Sequence, residues 1–141
     1  MKSQIRVLSL LLFLIAVLGV LGFKAVHQGW FKGKPYLELN DQPALLFFTL
    51  SDGCECQMVI IRRAATQVAF WELPEHLAIN ILRIDFDQRP YLVRYFHVAR
   101  APALVLLDAQ GQVIWKQDVG LNDQKPLDLV EAEAQITTLQ K

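Results

Sequence analysis

The chain has 141 residues, with 14 Lys and Arg, 14 Asp and Glu, and a hydrophobic fraction of 53%. That length suits one domain rather than several. The zero net charge hides an asymmetry: residues 1–35 hold five basic and no acidic residues, whereas residues 36–141 hold nine basic and 14 acidic, a net charge of −5. An acidic domain argues against nucleic acid as a partner, because binding it relies on Lys and Arg neutralising phosphates.

The first six residues are short and basic, with Lys2 and Arg6. Residues 7–23 then run without a charge, and only Ser9, Gly19 and Gly22 interrupt the large apolar side chains. As a helix of 17 residues this run is about 26 Å long, and with Ile5 it approaches the roughly 30 Å of a bilayer's hydrocarbon core. No small-x-small cleavage site follows Leu18, so residues 1–23 are expected to be an uncleaved signal anchor, a single N-terminal transmembrane helix. The basic residues flanking the span are nearly balanced. The basic start still resembles an export signal, which puts the expected domain on the extracytoplasmic side of the membrane. Residues 24–35, with Gly29, Gly33 and Pro35, read as a short juxtamembrane linker. Trp30 in that linker suits a membrane interface.

From residue 36 strand-like and helix-like patterns alternate. Tyr36, Leu37, Glu38 and Leu39 predict a short strand, broken by Asn40 to Pro43. Residues 44–50 (Ala, Leu, Leu, Phe, Phe, Thr, Leu) predict a strand covered on both faces. The spacing of Met58, Ile61, Ala65 and Val68 predicts an amphipathic helix over 57–70, with Arg62, Arg63 and Gln67 elsewhere on the wheel and the two arginines on a solvated face. Residues 78–84 read as a strand ended by Asp85, Phe86 and Asp87, and 89–98 as a helix with Pro90 in its first turn. Residues 102–107, the turn at 108–111 and residues 112–116 predict a hairpin. A last helix is expected over 125–139, with Leu127, Val130, Ala134 and Ile136 or Thr137 inward. The expected product is an α/β domain over residues 36–141, a mixed central sheet with helices on both faces.

Cys54 and Cys56 are the only cysteines, and they fall where the strand 44–50 gives way to the helix. A helix N-terminus carries unpaired N–H groups and partial positive charge, and both favour a thiolate. Asp52 and Glu55 oppose this as neighbouring negative charges, so a mild lowering of the thiol pKa is expected. Soft thiolates also suit Cu(I) or Zn(II), which leaves metal handling as an alternative. No His lies near them in sequence: His27 is juxtamembrane, and His76 and His97 read as surface or packing residues. No metal site is therefore assigned. No cofactor is expected either, since no Gly-rich phosphate loop or Ser-His-Asp arrangement is present. Trp71 and Trp115 read as packing residues.

Over roughly residues 36–140 the chain resembles the thioredoxin-like family. The strand 44–50, the cysteine pair and the helix opening Cys56, Gln57, Met58 look like that family's strand, active-site turn and helix. Residues 84–90 are similar to its third strand and loop, and residues 98–107 to the segment that contains its cis-proline. The resemblance implies that Pro102 is the cis-proline and that substrate chains pair with the backbone of Ala101. It implies Cys54 as the attacking thiol and Cys56 as the resolving one. The implied activity is thiol–disulfide exchange with protein partners, which the anchor would restrict to exported or membrane proteins. Two departures stand out. The family's Cys-x-x-Cys is shortened to Cys54-Glu55-Cys56, and residues 44–50 lack the family's buried acid. Loss of that acid and of the aromatic before the first cysteine keeps open a third reading, a redox-inactive binding module.

A disulfide between residues i and i+2 closes a tight ring, and strain makes such a bond more reducible. The Cys54–Cys56 couple is therefore expected to be more oxidising than ordinary thioredoxin, at about −270 mV. Equilibration with glutathione redox buffers checks this, and an equally or more reducing couple contradicts it.

Overall fold

The computed structural model describes the backbone of residues 2–27, with the side chains of 11–23, and residues 37, 39–74, 76–77, 79–118, 120 and 122–140. The chain divides into two compact units, Met1–Pro35 and Tyr36–Lys141, each taken by itself below.

In the first unit, α1 runs from Lys2–His27. It therefore continues through residues 24–27, which the composition assigns to the linker; residues 28–35 of that linker lie outside the described residues. Every described side chain of α1, residues 11–23, is exposed, and most of them are Leu, Val, Ile or Phe. Among the described residues no helix is long and apolar enough to cross a membrane. The side chains of residues 7–10, the start of the expected span, lie outside the described set.

The second unit is built in the order β1 (Ala44–Thr49), α2 (Glu55–Ala69), β2 (Asn80–Asp85), α3 (Pro90–Tyr95), β3 (Ala103–Leu107), β4 (Val113–Gln117) and α4 (Leu129–Leu139). The sheet order is β2-β1-β3-β4. β1 pairs parallel to β2, with Phe47 opposite Arg83, and antiparallel to β3, with Phe47 opposite Leu104. β3 and β4 form the expected antiparallel hairpin. Its turn is held by Asp108, whose Oδ1 accepts from the N–H groups of Gln110 and Gln112 at 3.0 and 2.7 Å. Gly111 supplies the positive φ of 76° there.

Period-2 alternation sends the apolar side chains of β1 and β3 to opposite faces. Leu46 and Phe48, with Val105, pack with Ile84 and with Leu92 and Phe96, on and just after α3. Leu45, Phe47, Leu104 and Leu106 pack on Ala64 of α2 and on Ala132 and Ile136 of α4. The sheet thus carries helices on both faces, as expected. A smaller cluster of Leu50, Ile61 and Ala101, with Met58 and Phe86 against it, joins the end of β1 to α2 and to the loop before β3.

Three expectations change. Leu37 and Leu39 are not in a strand, although both pack against the α3-side core; Tyr36 and Glu38 lie outside the described residues. The chain turns just beyond them through Asn40 and Asp41, at φ 49° and 54°, a region that short polar side chains tolerate. α3 ends at Tyr95 rather than Val98, with His97 at φ 50°. α4 starts at Leu129, not at Lys125, with the Asp128 side chain accepting from Glu131 N–H at 3.0 Å. Residues before it are held in place by other bonds. Gln67 of α2 exchanges two 3.1 Å hydrogen bonds with the backbone of Leu127, and Gln117 Oε1 accepts from Asp128 N–H at 2.9 Å. With that start the inward positions are Ala132 and Ile136; Val130 is 82% exposed and Ala134 is exposed too.

Gly120 sits in the same approach to α4. A Cβ there would come within 2.9 Å of the Pro126 carbonyl oxygen, a backbone atom that cannot swing aside. Gly120→Ala is expected to destabilise the domain by about 1–3 kcal/mol, as overpacking does. Denaturant unfolding checks this; an unchanged midpoint refutes the close approach.

Candidate active site

β1 ends at Thr49, and Leu50 anchors the chain in the small cluster with Ile61 and Ala101. Residues 51–56 then form an exposed tip. Gly53 N–H donates to Asp52 Oδ1 at 2.8 Å. Cys54 is the N-cap of α2, with extended backbone at φ −65° and ψ 152°. Met58 N–H donates to the Cys54 carbonyl at 3.0 Å and closes the first turn.

The two sulfurs lie 2.8 Å apart, both cysteines free and exposed. The S–H of Cys56 holds the Cys54 thiol below its ordinary value, and Gln57 N–H, on the third residue of α2, adds to this. No capping hydrogen bond from the neutral Cys54 side chain forms, so the Gln57 N–H matters chiefly for the charged sulfur. Cys56 moves the other way: its hydrogen bond to Cys54 and the charge on that sulfur push it up. The contact thus separates the two thiols, making Cys54 the stronger acid and Cys56 the weaker. The direction at Cys54 is the expected one, but its largest cause is the neighbouring thiol, not the helix terminus. The two carboxylates expected to oppose it are engaged elsewhere. Asp52 accepts from Gly53, and Glu55 Oε1 accepts from Arg62 Nη2 at 2.5 Å, two turns along α2.

Two ligands of one tetrahedral zinc, each about 2.3 Å from it, lie roughly 3.8 Å apart. The observed approach is closer than that and suits a shared proton or a disulfide. Among the described residues no group of three or more His, Cys, Asp and Glu is placed to hold a metal ion.

The Ala101–Pro102 bond is cis, as the resemblance implies. Ala101 is 8% exposed and packs with Leu50 and Ile61, so one cluster holds both the cysteine turn and the loop before β3. Arg100 Nε donates to the Asp118 carbonyl at 3.2 Å and ties that loop to the end of β4.

Sequence reasoning missed a second brace. The Ser51 hydroxyl donates to Asp85 Oδ2, and Asp85 Oδ1 accepts from the N–H groups of Asp87 and Gln88 at 3.0 and 2.9 Å. Phe86 N–H donates to the Thr49 carbonyl at 2.8 Å. The cysteine turn is thereby fastened to the end of β2. Ser51 and Asp85 are 34 residues apart, so only Asp85's place at a strand end hinted at a structural role. Thr49 is the sole polar side chain of β1; it is 2% exposed, and its hydroxyl has no partner among the described residues.

With this sheet order, a cysteine pair at the start of α2 and a cis-proline before β3, the domain has a thioredoxin-like fold. The chain is similar to a mutant thioredoxin from Halobacterium salinarum, with TM-score 0.48, 20% identity, and coverage of 73% of this chain and 79% of that one. It is similar to the oxidised mitochondrial thioredoxin 3 from Saccharomyces cerevisiae, with TM-score 0.46, 18% identity, and coverage of 72% and 82%. It is also similar to a thioredoxin-2 described as a component of malaria parasite protein secretion machinery, with TM-score 0.44, 20% identity, and coverage of 69% and 82%. No family model matches the chain, and no curated protein matches it in sequence.

The Ser51 hydroxyl, then the Gln88 N–H, hold the Asp85 carboxyl below its usual range. A carboxyl lowered in the folded state adds stability above its unfolded pKa and loses it as pH falls through the folded value. Unfolding free energy is therefore expected to rise with pH through the acid range, and Asp85→Asn to flatten part of that rise. Denaturant unfolding across a pH series measures it; equal slopes in the two proteins refute the brace.

Proposed function

We propose that the chain is a membrane-tethered thiol–disulfide oxidoreductase acting on protein thiols and disulfides. The observation that carries this reading is the 2.8 Å approach of two free, exposed sulfurs at the N-terminus of α2. Cys54, the more readily ionised, is the nucleophile. Its thiolate attacks one sulfur of a substrate disulfide, the other substrate sulfur leaves as a thiolate and takes up a proton, and a mixed disulfide forms. Cys56 then loses its proton and attacks the Cys54 sulfur. That bond closes a Cys54–Cys56 disulfide, and the substrate departs with both cysteines reduced. In the reverse direction the domain's disulfide takes two electrons from a substrate dithiol. The backbone of Ala101, beside cis Pro102, supplies the edge on which an extended substrate segment docks.

Residues 1–23 tether the domain as a single-pass signal anchor, with the domain on the extracytoplasmic side. The apolar run, the helicity of α1 and its exposed apolar side chains support this. Substrates are then exported or membrane proteins.

The lack of a carboxylate in β1 favours a second reading, a binding module that keeps the fold without exchange. Cys56→Ser separates the two, because it leaves the mixed disulfide with no resolving thiol. The full-length variant is expected to accumulate adducts with membrane or exported proteins, identified by mass spectrometry and released by dithiothreitol. Deleting residues 1–23 should free the chain that carries no adduct from the membrane fraction. If no thiol-dependent adduct forms, the exchange reading fails; copper or zinc bound in its place would favour metal handling.

A further inference from the structure

Glu55 is the residue between the two cysteines, and in sequence it counts against them. A carboxylate beside a thiol disfavours the thiolate. The ion pair with Arg62 changes that. Arg62 stands seven residues further along α2, and side chains on a helix lean toward its N-terminus. The guanidinium therefore reaches back along the helix, and the Glu55 carboxylate meets it at 2.5 Å. Arg63, next in the chain, does not share this duty, since its Nη1 donates to the Asp123 carbonyl at 2.8 Å.

We propose that Arg62 is a positioning residue for the cysteine pair: it draws the Glu55 carboxylate along α2 and cancels its charge, so that Cys54 ionises beside a neutral pair and not beside a bare anion. The other charged groups at the site have partners of their own. Asp52 accepts from Gly53, Asp85 is held by Ser51 and by the N–H groups of Asp87 and Gln88, and Arg100 donates to Asp118. Glu55 is thus the carboxylate between the two cysteines whose ion pair rests on one side chain, Arg62. The proposal rests on the thiol reading above but concerns ionisation alone.

The test is the rate of iodoacetamide alkylation of Cys54 against pH, in the full chain with Cys56→Ser so that one thiol reacts. The rate follows the thiolate fraction. Arg62→Ala is expected to slow alkylation about twofold at a fixed pH below the midpoint, the size of effect a solvent-exposed charge gives. Arg62→Lys should restore most of the rate. In a Glu55→Gln background, Arg62→Ala should change nothing, and in 1 M salt its effect should shrink. Equal slowing with Gln at position 55 would show that Arg62 acts directly on the sulfur and would overturn the proposal. An unchanged rate in Arg62→Ala would overturn it too. Should Arg62→Ala fold poorly by circular dichroism, Glu55→Gln alone decides: it leaves the rate within experimental error if the carboxylate is already neutralised, and raises it if not. Exchange by the wild-type chain with a disulfide substrate is measured alongside. Inert wild-type protein with the expected alkylation pattern sinks the oxidoreductase reading only; active protein without that pattern sinks only the role of Arg62.

Discussion

The burial of β1 is the constraint on which the rest of the domain depends. All six residues of Ala44–Thr49 are buried, with a strand on each edge and a helix layer on each face. A strand in that position cannot slip by one residue without exchanging the two sets of side chains that fill the cores. Its C-terminal end is therefore a fixed point. The chain leaves it at Leu50 and reaches the cysteines four residues later. The same fixed point receives Ala101 through the Leu50–Ile61–Ala101 cluster and Asp85 through Ser51. The chain that leads to the cysteines and the loop that holds the cis-proline are thereby tied to the same buried end of β1.

The electrostatics of the pair are local. Both cysteines are exposed, where water screens charges and long-range fields count for little. What remains is contact: two sulfurs hydrogen-bonded at 2.8 Å and one helix N–H beside Cys54. This divides the two sulfurs into a better acid and a poorer one, a division that one approach and one release require. The family's buried acid has no counterpart in β1, and the hydroxyl of Thr49 cannot replace a carboxylate as a proton acceptor at neutral pH. In the proposed exchange the base that removes the Cys56 proton is solvent, which its exposure permits.

Much of this was legible in the sequence, and the reason differs by element. β1 announced itself because a strand covered on both faces reads as an unbroken apolar run. The hairpin did so because Asp108 and Gly111 carry the turn chemistry. The start of α4 did not, since periodicity over 125–139 cannot register that Gln67 and Gln117 hold Leu127 and Asp128 outside the helix. At the site, the cysteines and Pro102 were visible as residue types, whereas Ser51, Asp85 and Arg62 were not. Ser51 and Asp85 meet only through the fold, and Arg62 looks like any solvated cation until Glu55 is found against it.

The shortened spacing has a geometric answer. Two residues in a helix at i and i+2 point about 200° apart and do not meet, whereas i and i+3 share a face. Cysteines separated by one residue would thus diverge if both were helical. Here only Cys56 is. Cys54 is the N-cap, its backbone extended, and the side chain of such a residue turns toward the first N–H groups of the helix. Contact between Cys54 and Cys56 depends on the helix beginning between them, at Glu55. A start one residue earlier would carry Cys54 onto the far side and separate the sulfurs. The residue absent from the usual motif is compensated by the place at which α2 begins.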